Sequence, residues 1–165
     1  MPDKQTIARA MRDKREGKSA STQAGEFVRE EIEHIREGKH GAASAKQAIA
    51  IGLSEARRAG VKLSPPKKGK ASTRKSAAYA SAVGQGKRKP HRRPRVSRAV
   101  SQVLKKEPRS AASHRALSRQ TKQAASRRSA ADRSRAARKA SRTKGSAKRS
   151  AAARKAARTR ARHAS

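Results

Sequence analysis

From Lys67 to Ser165 the chain carries only seven larger apolar side chains, Tyr79, Val83, Val96, Val100, Val103, Leu104 and Leu117, and none after Leu117. The same stretch holds 33 Lys and Arg against Glu107 and Asp132, a net charge of +31. Residues 1–66 hold 13 Lys and Arg and 9 Asp and Glu, a net of only +4. Burial of apolar surface is what offsets the entropy of ordering a chain, and like charge opposes compaction further. The sequence therefore predicts a mostly α protein in two parts. The first, 1–66, is a small N-terminal helical hairpin of two to three short helices. The second, 67–165, is a long intrinsically disordered basic tail with transient helices, the two parts divided at Pro65-Pro66, where regular structure stops.

Within the first part, residues 4–16 fit a short helix with Asp3 as N-cap, Gly17 as stop and Ile7, Ala8 and Met11 on one side. A polar linker, 18–22, follows. Residues 23–37 put Ala24, Phe27, Val28, Ile32 and Ile35 on one helical face and Glu26, Glu30, Glu33 and Glu37 on an acidic outer face, with Gly38 at the C′ position. The helix at 44–59 has the strongest terminal signals. Ser44-x-x-Gln47 is a capping-box pattern, Arg57-Arg58 complement the dipole, and Gly60 ends the helix. Ile49, Gly52, Leu53 and Ala56 form its stripe, and Ile51 points to a second contact surface. Beyond Met1, the larger apolar residues of 1–66 number 11, too few to offset ordering three helices, so self-association through the N-terminal helices, or a partner, is expected.

Beyond Pro66 the sequence is low-complexity in Ala, Ser, Arg and Lys. "SAA" recurs at Ser76, Ser110, Ser129 and Ser150, and "AARKASRTK" at 136–144 returns as "AARKAARTR" at 152–160. Val96, Val100, Val103 and Leu104, between Pro94 and Pro108, predict a two-turn amphipathic helix. Alanine favours helix, but like charges at i,i+4 oppose it, so the expectation is disorder alone and partial helix on a polyanion.

A formal net charge of +35 in 165 residues points to nucleic acid as the partner. Arginine and lysine bind phosphate by charge, and arginine adds a bidentate fork. The candidate nucleic-acid-binding residues are Lys87, Arg88, Lys89, Arg92, Arg93, Arg95, Arg127, Arg128, Arg138, Lys139, Arg154, Lys155, Arg158, Arg160 and Arg162. Lys39, Lys46, Arg57 and Arg58 are candidate auxiliary phosphate contacts. With Phe27 and Tyr79 as its two aromatics, the chain cannot build a stacking platform for splayed bases. Backbone binding to double-stranded DNA is favoured on that ground, with RNA as the alternative.

Other classes of function find no support in the residues. A helix-turn-helix at 23–59 would need a shorter turn than Gly38–Ala43 and more base-reading groups near the start of its second helix. Glu31-x-x-His34 matches the spacing of di-iron bundles but lacks a second such pair, which makes His34 a surface residue on this reading. His40, His91, His114 and His163 show no ligand spacing, and Gly84–Lys87 is too short for a phosphate-binding loop. There is no cysteine and no nucleophile–base pairing, so neither a catalytic, cofactor nor metal site is assigned, and the expected class is non-enzymatic. No leader-like or membrane-spanning apolar run occurs, which makes a cytoplasmic location the expectation and excludes a membrane partner.

Three resemblances add to this reading. Gly25–Lys70, and most specifically Lys46–Leu53 with Ala56–Gly60, resembles a bacterial family built on a domain of unknown function, whose small basic members are sometimes labelled DNA-binding or histone-like. Members tend to carry arginine where this chain has Ala43. The Ala/Arg/Lys-rich tail is similar to histone H1-like bacterial proteins, though poorer in lysine and without proline after Pro108. Lys87–Arg95, "KRKPHRRPR", resembles the Arg-Pro core of minor-groove AT-hook peptides but lacks the glycine between arginines. The family resemblance implies a bacterial cytoplasmic protein and assigns no function; the basic tail makes the expectation a nucleoid-associated protein that neutralises phosphates and compacts or bridges DNA. The rival readings are an RNA- or ribosome-associated basic protein, and a protein-interaction module with an auxiliary basic anchor.

Overall fold

The computed structural model describes residues 2–91 and 93–164, and they are helical over most of their length. The elements are α1 (Lys4–Arg15), α2 (Ala20–Glu37), α3 (Ala45–Arg58), α4 (Ala71–Gly84), α5 (Pro94–Lys106), a 3₁₀ turn (Arg109–Ala112), α6 (His114–Ser126) and α7 (Ala130–Ala164). Inside α7, Gly145 breaks the helix with φ 64° and ψ 168°. The chain forms two compact units, Met1–Gln120 and Thr121–Ser165.

The long disordered tail expected after Pro66 is not found: α4 to α7 occupy that region. Two physical causes explain the correction. First, the tail carries helix starts that its low complexity conceals. Pro94 stands in the first turn of α5, where its fixed φ suits a helix and its missing N–H costs nothing. Ser113 accepts the Ala116 amide at 3.2 Å ahead of α6. Ser129 accepts the Asp132 amide at 3.1 Å while its hydroxyl donates to the Asp132 carboxylate at 2.7 Å, placing the second part's only aspartate in the first turn of α7.

Second, alanine is core here. One cluster gathers Ala10, Ala24, Phe27, Ala56 and Val61, with Ile7, Leu53 and Leu63 against it. Another gathers Ile35, Ala42 and Ala48 with Ala111 and Ala112, so the 3₁₀ turn completes the core of the N-terminal helices. Ala77 and Ala80 of α4 are buried as well. A ledger restricted to larger side chains misses this burial, because small residues contribute by letting backbones approach closely. Gly52 shows it best, since a Cβ there would stand 2.7 Å from Val28 Cα and 2.9 Å from the Phe27 carbonyl oxygen. Gly84 meets the Arg57 carbonyl in the same way, which brings the end of α4 onto the end of α3.

Several local expectations shift by a turn. α2 starts at Ala20 rather than near 23 because Ser19, read as linker, caps it by accepting the Thr22 amide at 3.4 Å. The side chain of Asp3 makes no cap; its backbone N–H instead donates to Glu30 Oε1 at 2.7 Å. Gly38 takes the left-handed conformation expected of it, φ 83°. Ser44 accepts the Gln47 amide at 3.2 Å, and Gln47 reaches back to the Ala43 amide at 2.7 Å, so the box closes one residue earlier than the usual pattern.

The acidic face of α2 is only partly an outer face. Glu33 and Glu37 are exposed, but Glu30 is buried, and Glu26 pairs with Arg9 of α1 at 2.8 Å. The helix that packs over them, α1, has too few bulky residues to announce its docking, and it docks through polar partners. Thr6, Ala10 and Asp13 are its buried residues, and Asp13 accepts from Lys18 at 2.7 Å.

Candidate functional site

Two features stand out, separate exposed cationic segments and a buried acid–histidine cluster. The cations of the first are carried by the α4–α5 connection and by α6–α7. Lys87, Arg88 and Lys89 follow α4, and Arg93 and Arg95 open α5; all are exposed. Arg92 lies outside the described residues. This connection is held against α4 by Tyr79, whose hydroxyl accepts the His91 amide at 2.8 Å and donates to the Lys89 carbonyl at 3.5 Å, with the Arg88 guanidinium 6.0 Å from the ring centroid. The connection is thus a tethered turn in which Lys87, Arg88, Lys89, Arg93 and Arg95 face water.

Arg127 and Arg128 join α6 to α7. Arg138 and Lys139 lie before the Gly145 break, and Arg154, Lys155, Arg158, Arg160 and Arg162 after it, every one exposed. Beyond Ala130 the chain's only acid is Asp132, which pairs with Arg135 at 2.7 Å. Hydrogen bonds from Ser129 and the pairing with Arg135 hold its carboxyl below the usual range.

The auxiliary residues divide. Lys46 and Arg58 are exposed, and Lys39 pairs with Glu37 at 3.0 Å. Arg57 is buried and unavailable to phosphate: its guanidinium donates to the carbonyls of Leu53 (3.3 Å) and Ser64 (3.4 Å), and burial pulls its pKa below the ordinary value. A basic residue in the last turn of a helix commonly serves the dipole, but here the chain after α3 folds back over it.

The buried cluster lies where α2 turns into the Gly38–Ala43 loop. Glu30 and Glu31 are 3% and 2% exposed. Glu30 Oε1 lies 3.8 Å from His34 Nε2, and Glu31 Oε2 lies 3.7 Å from His40 Nε2. The two imidazoles meet edge to face, with centroids 6.5 Å apart. Glu30 Oε2 and Glu31 Oε1 are buried without a hydrogen-bond partner. Reading His34 as a surface residue is corrected here, and His40, which shows no ligand spacing along the sequence, stands beside Glu31. Helical spacing cannot register His40, which lies beyond the helix; the left-handed Gly38 turns the chain so that it comes back over Glu31. The signal was the combination Glu31-x-x-His34 with a positive-φ glycine and a second histidine soon after.

Burial pushes the Glu31 carboxyl up to about 7, with Glu55 and Glu30 adding to the rise and His40 opposing it. Burial, then Glu30, raises Glu55 on α3. The folded state therefore holds a proton on Glu31 that the unfolded chain releases near its ordinary value of ~4.3. Stability is lost as pH rises between that value and about 7. In chelator-treated buffer, Glu31→Gln is expected to stabilise the protein by about 2 kcal/mol at pH ~8 and by little at pH ~5. Urea midpoints at the two pH values check this, and an equal gap at both would count against a buried ionising carboxyl.

Among the described residues no helix is long and apolar enough to cross a membrane. No curated protein and no solved structure matches the chain. Residues 3–68, which hold α1 to α3 and the entire acid–histidine cluster, match a family of unknown function (DUF6496).

Proposed function

We propose that the chain binds nucleic acid without regard to base sequence, duplex DNA in preference to RNA, and that it neutralises phosphates to compact or bridge duplexes in a bacterial nucleoid. The observation that carries this reading is α7: apart from Asp132, the described exposed side chains from Ala130 to Arg162 are arginine, lysine, alanine, serine and threonine, and no larger apolar side chain gives the helix a face to bury. A helix cationic on all sides has polyanions as its natural counterpart, since each phosphate it neutralises releases a condensed counterion. Its cylinder, about 10–12 Å across, fits a major groove of similar width, and guanidinium forks reach phosphates on either rim. The tethered α4–α5 turn offers a second basic segment, which supports bridging of two duplex stretches by one chain.

Anisotropy titrations of labelled duplexes across a salt series test the reading. The expected log K falls linearly with log salt, with a slope of about −5 or steeper, and is the same for unrelated sequences. Structured RNA added as competitor is expected to displace duplex less well than unlabelled duplex does. Salt-independent binding would overturn the electrostatic reading, and stronger competition by RNA would move the partner to RNA.

A further inference from the structure

We propose that Glu31, His34 and His40 form a binding site for one divalent transition-metal ion of the zinc class, tying α2 to the loop that follows it. One ligand atom from each of the three lies within 4.8 Å of the others. Two imidazoles and a carboxylate are the donor set that zinc and its neighbours accept, leaving a fourth position for water. Donor atoms around a tetrahedral ion with bonds of ~2.1 Å are separated by about 3.4 Å, close to the 3.7 Å between Glu31 Oε2 and His40 Nε2.

Two independent features point to a cation rather than to simple packing. Glu31, 2% exposed, keeps Oε1 buried with no donor facing it. Without a cation the carboxyl avoids the several kcal/mol cost of a bare buried anion only by holding a proton, which an arriving metal ion would replace. The second feature is His40. Its Nδ1 lies 3.1 Å from the Gly41 carbonyl, which can only accept, so Nδ1 carries a proton and Nε2, the nitrogen facing Glu31, is the one that can offer a metal its lone pair. A ring nitrogen held by a backbone carbonyl is also how metal-bound histidines are oriented.

A second grouping, Asp3, Glu30 and His34, shares His34, so one histidine cannot serve both. The Glu31 grouping brings two imidazoles and no exposed member, whereas the other brings one imidazole and the exposed Asp3, so the Glu31 grouping is the one that suits the zinc class. Glu30 then acts as the carboxylate beside His34, and Glu30, Glu31 and Glu55 together supply the negative charge that a dication requires.

The consequence is mechanical. The loop bearing His40 is already fastened further along the chain, with the Gly41 amide donating to the Leu104 carbonyl at 2.8 Å and the Ala42 amide to the Pro108 carbonyl at 3.3 Å. An ion on Glu31, His34 and His40 would clamp α2 to that junction and so stabilise the end of α5.

Zn(II) titration of the chelator-stripped full chain, with a fluorescent chelator as competitor, tests the assignment. Expected results are one tight equivalent, a melting temperature that rises with Zn(II), and visible d–d bands of four-coordinate Co(II). His40→Ala and Glu31→Gln are expected to weaken binding by about 100-fold and to abolish the melting shift, while His91→Ala leaves both unchanged. Glu31→Gln keeps shape and removes a buried charge, so it remains informative if His40→Ala fails to fold. Binding that survives Glu31→Gln, binding lost equally in His91→Ala, or no stoichiometric uptake would each overturn the site.

Discussion

A chain ending at Gln120 is expected to bind duplex DNA at least about 100-fold more weakly than the full chain at moderate salt, and with a shallower salt slope. The cut removes Thr121–Ser165, one whole compact unit, and with it 16 Lys and Arg against the single Asp132. It leaves intact every residue of the two buried clusters, including Ala111 and Ala112. A cut at Pro66 would be a poorer experiment, because it strips those two alanines and α4 from the core and confounds loss of charge with loss of fold. If each engaged cation contributes about 0.9 to the slope, the change in slope counts the phosphates contacted by the deleted unit. Matching slopes for the two chains would refute a role for α7 and transfer the binding to the α4–α5 turn.

The same chemical change at two glycines is expected to act with opposite signs. Gly25 and Gly52 both lie inside helices, and alanine in place of glycine gains about 1 kcal/mol from helix propensity alone. At Gly25 a Cβ meets nothing within 4 Å, so Gly25→Ala should stabilise by up to that amount. At Gly52 a Cβ would stand 2.7 Å from Val28 Cα and 2.9 Å from both the Phe27 carbonyl oxygen and the Val28 amide nitrogen. These are backbone atoms of a packed helix, so neither partner can rotate aside and α2 and α3 must separate. Overpacking of this kind costs about 1–3 kcal/mol, which outweighs the propensity gain, and Gly52→Val should cost about 3 kcal/mol or more. Guanidinium unfolding curves decide it. A neutral Gly52→Ala would mean that the close crossing of α2 and α3 is not what holds the hairpin.

What was legible from residues alone came from strong local rules. Phe27 and Ile35 fall on the buried face of α2, Gly38 takes its left-handed cap, and Ser44 with Gln47 opens α3. Each depends on groups within a turn of one another. The helical order after Pro66 was not legible, because volume and charge dominate a composition argument whereas the stabilising devices there are small. They are the Ser113 and Ser129 caps, a proline in the first turn, and alanines that fill space only once a partner backbone is close. The acid–histidine cluster was missed for a related reason. Periodicity assigns Glu30 to the outside of α2, and only the docking of α1 and the return of the loop at His40 turn that side inward.

The break at Gly145 has a consequence for exchange on a polyanion. It falls between the two copies of the duplicated "AARKA" cassette and divides α7 into rods of about 22 and 28 Å. On the proposed duplex-binding reading, each rod would be a modest ligand and the joint would make the second attachment intramolecular, so overall avidity would grow with the effective concentration that the glycine permits. Departure then proceeds rod by rod. A competing polyanion can invade at one rod while the other still holds, so residence on a duplex should shorten as free duplex is added, even though the affinity at equilibrium is unchanged.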